Sequence, residues 1–171
     1  MRLTLETDRL ILRPYDITDA YDMYNNWASD EEVTKYVTWD IHKSIDDTIA
    51  IIEYWLLQYD IPERINFVIE HKETKEAIGS IDVVGYIEGM PVIGYCIGRK
   101  YWNNGLTTEA CKKVLEYLFR IGHKVVRIDA VRENIGSNKV IMKCGGKFIE
   151  TYLDDLRGKE VVINKYHVYN E

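Results

Sequence analysis

The stretch RKYWNNGLTTEA, residues 99–110, sets a polar, glycine-containing loop between an aromatic pair, Tyr101 and Trp102, and the start of a helical period. Upstream, VIGYCIG (residues 92–98) has the β-branched and aromatic content of a strand. Downstream, Leu106, Ala110, Val114, Leu118 and Ile121 recur on one helical stripe, with Gly122 placed to end it. A helix starts with free backbone N–H groups and the positive end of its dipole, so its first turn attracts anions, phosphates above all. Gly105, having no Cβ, lets a ligand come close to the backbone. These twelve residues alone allow two readings, a phosphate cradle or a plain turn in which Asn104 caps the helix. Neither GxxxxGK[ST] nor GxGxxG occurs, which excludes the P-loop and dinucleotide-binding forms of cradle.

Outward from this stretch the periods alternate. On the C-terminal side, VVRIDAV reads as a strand and IGSNKVIMKC as a short helix stopped by Gly145 and Gly146. KFIETYL and VVINKYHVY then read as two strands around an Arg157-Gly158 turn. On the N-terminal side, INFVIEHK, IGSIDVVGYI and VIGYCIG form an antiparallel meander, with turns at ETKEA and at Gly89 to Pro91. Two helices precede it. DITDAYDMYNNWA has Ile17, Tyr21, Tyr24 and Ala28 at the spacing of one buried face, and SIDDTIAIIEYWLLQY has a capping box at Ser44 and Asp47 with Ile45, Ile49, Ile52 and Leu56 on one side. A first strand, DRLILRPYD, opens the chain with Leu10 and Leu12 on one face. The order is that of an α+β domain.

Composition sets outer limits. A chain of 171 residues with 46% apolar and 29% charged side chains, and no low-complexity tract, fits one folded domain over residues 1–171. The apolar runs fall far short of the roughly 20 residues of a membrane span, and the start lacks the apolar core of a secretory signal, so the expectation is cytoplasmic with no membrane partner. The net charge of -6 argues against nucleic acid and for a cationic small substrate. Cys96, Cys111 and Cys144 are odd in number and have no CxxC spacing, and His42, His71, His123 and His167 are scattered, so no metal is expected.

Two blocks together, IGYCIGRKYWNNGLTTEA and RIDAVRENIGSNKVIMKCGGKF, resemble the GCN5-related N-acetyltransferase (GNAT) superfamily, and within it the ribosomal-protein N-terminal acetyltransferase branch. The branch shows a GY strand, then YWGxGxxTEA, NxxS and KxGF; here these are Gly94-Tyr95, then Tyr101-Trp102, Gly105 and Thr108-Glu109-Ala110, Asn134 with Ser137, and Lys143 with Gly145. TDRLILRP and AIGSI extend the resemblance to roughly residues 6–169. The resemblance implies a GNAT fold: a mixed, mostly antiparallel sheet of six to seven strands, about four helices, and a splayed strand pair that binds coenzyme A. It implies acetyl-CoA as acyl donor, an amine acceptor and direct attack in a ternary complex, as a monomer or a homodimer.

Carried over residue by residue, Cys96, Ile97 and Gly98 meet the pantetheine arm through their main chain, and Trp102, Asn103, Asn104, Gly105, Leu106, Thr107 and Thr108 form the pyrophosphate loop. Asn134 either bonds the pantetheine amides or caps its helix. Lys139 and Lys143 either hold coenzyme phosphates or are simply solvated. Ile141 stands where much of the superfamily has a tyrosine acid, so Ser137 is the candidate acid, with the satisfaction of its own helix turn as the alternative. The pattern departs from the family at Trp102, Asn103 and Thr107, and at Gly146, which replaces a phenylalanine whose space Phe148 is expected to fill. The branch's glutamate before the GY strand is also missing, since Val92 and Ile93 precede Gly94. Asp82, Glu88, Glu150 and Asp154 remain as possible bases; Glu109 is explained by the helix dipole. Tyr15, Tyr21, Tyr24 and Tyr36 fall where the family builds its acceptor pocket; one or two of them are expected to line it and the rest to be core-edge residues. Two other readings stay open, an acyl-CoA-binding module without turnover and a ping-pong enzyme acylated on Cys96.

Overall fold

The computed structural model describes residues 3–62 and 64–170. The chain opens with β1 (Leu5–Glu6) and β2 (Leu10–Arg13). A 3₁₀ turn capped by Asp16 then runs through α1 (Ala20–Met23) into a π-helical turn (Tyr24–Ala28). After α2 (Glu31–Thr34) comes α3 (Ile45–Leu56), whose capping box forms as read: Ser44 Oγ accepts the Asp47 N–H and the Asp47 carboxylate accepts the Ser44 N–H. The meander is β3 (Asn66–His71), β4 (Ala77–Ile87) and β5 (Met90–Ile97). There follow α4 (Leu106–Arg120), β6 (Val125–Val131), α5 (Ile135–Lys143) and a hairpin of β7 (Lys147–Leu156) with β8 (Lys159–Tyr169).

Among the described residues eight strands make one sheet, ordered β1-β2-β3-β4-β5-β6-β8-β7, one more than the upper expectation. The extra strand, β1, has only two residues and so no period to read. All neighbours are antiparallel except β5 and β6.

Each sheet face has its own core. On one, α4 buries Leu106, Ala110, Val114 and Leu118 against Leu10, Leu12, Phe67, Ile69 and Ile81. Ile121, the fifth residue of the expected stripe, is 49% exposed, because the helix has ended before it. On the other face Ala20, Met23, Trp27 and Ile52 pack on Val68 and Ala77. Here the expected stripe is corrected in part: Ala28 is buried as read, but Ile17 and Tyr21 are exposed, and Ala20, Met23 and Trp27 carry the rest of the contact. A segment that begins with three residues per turn and widens to a π turn shifts phase relative to a uniform 3.6 period. Gly146 is a second correction. A Cβ there would come within 2.4 Å of Ile141 Cγ2, so Ile141 already fills that space, and Phe148 lies 56% exposed, edge-on to Tyr166.

Candidate active site

β5 and β6 pair only at Val92 with Arg127 and Ile93 with Ile128. Beyond Ile93 the strands part, and a cleft of about 1400 Å³ runs between them, lined from both faces of the sheet. The phase of β5 decides which backbone groups the cleft meets. The Gly98 N–H donates to Ile78 O at 2.8 Å, and Cys96 and Gly94 lie opposite Ser80 and Asp82. In an antiparallel ladder alternate residues bond to the same neighbour, so 94, 96 and 98 turn their N–H and C=O toward β4 while Tyr95 and Ile97 turn theirs toward the cleft. The main-chain expectation therefore moves by one residue. Cys96 lines the cleft but its backbone serves β4, and Gly98 does not line it at all. The Ile97 carbonyl accepts the Trp102 indole N–H at 2.9 Å, which fixes the loop to the strand.

The loop folds back through two left-handed residues, Asn103 at φ 61° and Gly105 at φ 75°. Asparagine accepts this region more readily than most residues, which explains how it stands in for a glycine. Trp102, Asn103, Gly105, Leu106, Thr107 and Thr108 all line the cleft. Asn104 does not; its carbonyl accepts the Arg9 guanidinium at 2.9 Å. Among the described residues no side chain caps α4. By contrast Asp30, Ser44 and Asn134 cap α2, α3 and α5. The reading of Asn104 as a cap thus fails, and the first-turn N–H groups of a 15-residue helix open onto the cleft.

That first turn is pinned from behind. Glu109 accepts the Thr7 hydroxyl at 2.5 Å, the Arg9 N–H at 2.9 Å and the Arg9 guanidinium at 2.7 Å. Burial alone would raise this carboxyl, but those bonds hold it below the usual glutamate range. Its task is to tie α4 to the β1–β2 turn.

Ser137 sits in the first turn of α5 with Oγ 3.0 Å from the Tyr95 hydroxyl. Burial drives the Tyr95 phenol far above its ordinary range, so it stays protonated and can donate. Asn134 Oδ1 caps α5 by accepting the Ser137 N–H at 3.2 Å. Asn134, Ser137, Lys139 and Lys143 all line the cleft, the two lysines one helical turn apart and exposed. Tyr95 was missed as a partner of Ser137: the sequence marks it as part of the Gly94-Tyr95 strand motif, but the contact joins residues 42 positions apart.

The opposite side of the cleft is formed by aromatic and acidic side chains, with Trp27, Trp39, Trp55, Tyr36 and Tyr152 among them. Of the four tyrosines in the segment expected to build the acceptor pocket, Tyr36 lines the cleft; Tyr15 is buried behind it, Tyr21 is 71% exposed, and the Tyr24 hydroxyl bonds to Lys43 O. Among the possible bases, Glu88 lies in a turn and Glu150 pairs with Lys165 at 2.9 Å, and neither lines the cleft. Asp154 lines it from the exposed strand β7. Asp129, not foreseen, is held by Arg127 at 2.7 Å and by the Tyr152 hydroxyl at 2.9 Å. Asp82 lines the cleft with no hydrogen bond to its carboxylate among the described residues; burial pushes it up to about 7, against the pull of Arg64. Burial also pushes the Cys96 thiol up to about 12, which keeps it protonated and a poor nucleophile. No group of three or more His, Cys, Asp or Glu gathers to hold a metal among the described residues, and none of their helices is long and apolar enough to cross a membrane.

The profile of the acetyltransferase (GNAT) domain family matches residues 9–147. The uncharacterized N-acetyltransferase YoaA of Bacillus subtilis is 33% identical over 144 residues, 82% of this chain and 81% of that protein. Among solved structures, a putative ribosomal-protein-serine acetyltransferase from Vibrio cholerae superposes with a TM-score of 0.86 at 18% identity, over 98% of both chains. The microcin C7 self-immunity acetyltransferase MccE, solved with acetyl-CoA and AMP, superposes with a TM-score of 0.83 at 19% identity, over 96% of this chain and 94% of that one. Loop, splayed strands and sequence kinship agree: this chain belongs to the GNAT family of N-acetyltransferases.

Proposed function

We propose that this acetyltransferase moves an acetyl group from acetyl-CoA to a primary amine by direct attack, with both substrates held in the cleft at once. The observation that carries the reading is the uncapped N-terminus of α4 opening onto the gap between β5 and β6. A helix start with unsatisfied N–H groups suits a pyrophosphate. Asn103, Gly105, Leu106, Thr107 and Thr108 supply that cradle, and the exposed Lys139 and Lys143 add positive charge from α5. The outward N–H groups of Tyr95 and Ile97 suit the amide-bearing arm, and one of them meets the thioester oxygen as negative charge gathers there. A single such donor contributes about 2.7 to 4 kcal/mol in well-studied cases. The uncapped face of Asn134, its Nδ2, adds a further donor toward the arm.

The thioester supplies the activated acetyl group; the protein supplies geometry and protons. Ser137 gives its hydroxyl proton to the departing sulfur, and Tyr95 behind it holds the hydroxyl in place and relays a replacement. Positioning accounts for most of the acceleration, an effect worth up to about 7 to 11 kcal/mol in oriented model systems. The protonated Cys96 speaks against an acyl-cysteine route.

The acceptor is a primary amine, either a peptide N-terminus or a small molecule. The acidic, aromatic wall of the cleft favours a cationic group. The Vibrio cholerae neighbour's name, a ribosomal-protein-serine acetyltransferase, puts serine-initiated peptides first in the panel.

The test is thiol release from acetyl-CoA with serine-initiated heptapeptides, spermidine, amino acids and aminoglycosides. Acceptor-dependent release with at least one amine, and no trapped acyl-protein, is the expected result. Tight acetyl-CoA binding with no release across the panel would instead make the chain a coenzyme-binding module.

A further inference from the structure

Ser137 and Tyr95 approach the cleft from the α4–α5 face of the sheet, where proton delivery to sulfur is needed. Transfer to an amine also needs a proton removed, because a primary amine arrives largely as an ammonium ion whose lone pair is occupied. The branch's glutamate is missing from this chain, so that proton needs another acceptor.

The opposite face holds a polar row that the packing does not explain. Asn66, Asp82 and Gly94 lie side by side across β3, β4 and β5, level with the point where β5 leaves β6. Asn66 is 2% exposed, and neither its amide nitrogen nor its amide oxygen finds a partner among the described residues. Tyr15, equally buried, lies beside Ser80 yet completes no hydrogen bond through its hydroxyl. Gly94 lies next to the carboxylate, and a Cβ there would sit 2.8 Å from Val84 Cγ1 and 3.7 Å from Asp82 Oδ1, so the missing side chain leaves room for Val84 beside Asp82. Buried polar groups without partners cost about 1 to 3 kcal/mol each, so a cluster of them beside a cleft marks a place built to receive a polar ligand.

We infer that Asp82 is the proton acceptor for the incoming amine, and that Asn66 and Tyr15 keep its surroundings polar from behind. The inference rests on the acetyl-transfer reading above. The ammonium gives one proton to the Asp82 carboxylate, and the freed nitrogen lone pair forms the C–N bond as the C–S bond breaks. Sulfur takes the Ser137 hydroxyl proton, Ser137 recovers one from Tyr95, and Tyr95 is reprotonated from solvent. The second proton that nitrogen loses passes to solvent, as does the one left on Asp82, so the sum is amide, free thiol and one proton released from the ammonium and thioester.

Of the other carboxylates that line the cleft, Glu32, Asp40, Asp154 and Asp155 are exposed, and two are engaged by neighbours. Asp129 is held by Arg127 and Tyr152, and Asp47 accepts the N–H groups of Lys43 and Ser44. Among the described residues, the charged or titratable groups that reach Asp82 are Arg64 ahead of β3, Tyr15 after β2 and Cys96 on β5, with Tyr59 bonding to Asn66 O behind them. Cys96 and Tyr15 are both held protonated by burial, so Arg64 is the charge that tunes the site. A base acts only when ionised, so turnover rises with pH through about 7 and then levels.

The experiment compares wild type with Asp82→Asn, using spermidine and a serine-initiated heptapeptide as acceptors. Acetyl-CoA affinity by calorimetry should match wild type. The kcat at pH 7 should fall about 100-fold. The variant should regain rate steadily at higher pH, as more acceptor arrives already neutral, whereas a merely structural role would lower the rate evenly at all pH values. A variant with kcat within threefold of wild type and the same pH profile overturns the inference. If Asp82→Asn fails to fold, wild type decides: a kcat limb at one pH for both acceptors supports Asp82, and a limb that follows each amine's own pKa overturns it. Wild type with no acceptor-dependent release at all removes the acetyl-transfer reading instead, and this inference with it.

Discussion

The two faces of the sheet solve different problems with different materials. On the α4–α5 side the cleft is built from backbone: a helix start without a cap, two left-handed loop residues and the outward amides of a strand. On the α1–α3 side it is built from side chains, tryptophans, tyrosines and carboxylates drawn from separate elements. A donor shared by a whole family can be held by backbone geometry, which tolerates substitution so long as φ and hydrogen bonding survive. An acceptor that differs between relatives has to be read by side chains. The first kind of site withstands changes such as Asn103 and Thr107; the second changes with each residue.

Substitutions can break that contrast. The largest effect after Asp82 is expected at Ser137→Ala, where kcat should fall about 100-fold while acetyl-CoA affinity stays within twofold, measured by thiol release and calorimetry. Tyr95→Phe should reproduce about a tenth of that loss; an unchanged rate for both variants would remove the proton-delivery role. Gly105→Val forces a β-branched residue to φ 75° at a cost of about 1 to 2 kcal/mol or more. It should weaken acetyl-CoA binding roughly tenfold and leave acceptor KM alone, so an equal loss in both would deny that the two sides act separately.

Glu109→Gln removes the charge from the bonds to Thr7 and Arg9, and should lower stability by about 1 to 2 kcal/mol in urea unfolding. The sign follows from linkage. The folded carboxyl lies below its unfolded value, so its contribution is complete above the ordinary glutamate pKa and fades as pH falls through the folded one. The gap between variant and wild type should therefore close in acid. Smallest of all, Asn103→Gly relaxes one left-handed residue and should leave acetyl-CoA affinity within twofold; a large gain would mean that Asn103 strains the cradle.

The same contrast explains what could be read beforehand. The cradle, its helix and the flanking strands are contiguous in the chain, so period and motif locate them together. Two things in that half were hidden. Which β5 residues face the cleft depends on the ladder to β4, and that leaves the outward backbone groups on Tyr95 and Ile97 and not on Cys96 and Gly98. The Tyr95–Ser137 contact joins residues 42 positions apart. The acceptor half was hardly legible. Its first helix changes pitch from 3₁₀ to π, which moved the buried stripe from Ile17 and Tyr21 to Ala20, Met23 and Trp27. Its polar row, Asn66, Asp82 and Gly94, exists only once three strands are in register.

The most direct test of the central claim is a crystal structure of the chain with coenzyme A. The account predicts the pyrophosphate on the amides of residues 103–108, the arm along Tyr95 and Ile97, and the sulfur beside Ser137. A pyrophosphate bound away from that helix start, or an arm that does not pass between β5 and β6, would contradict it.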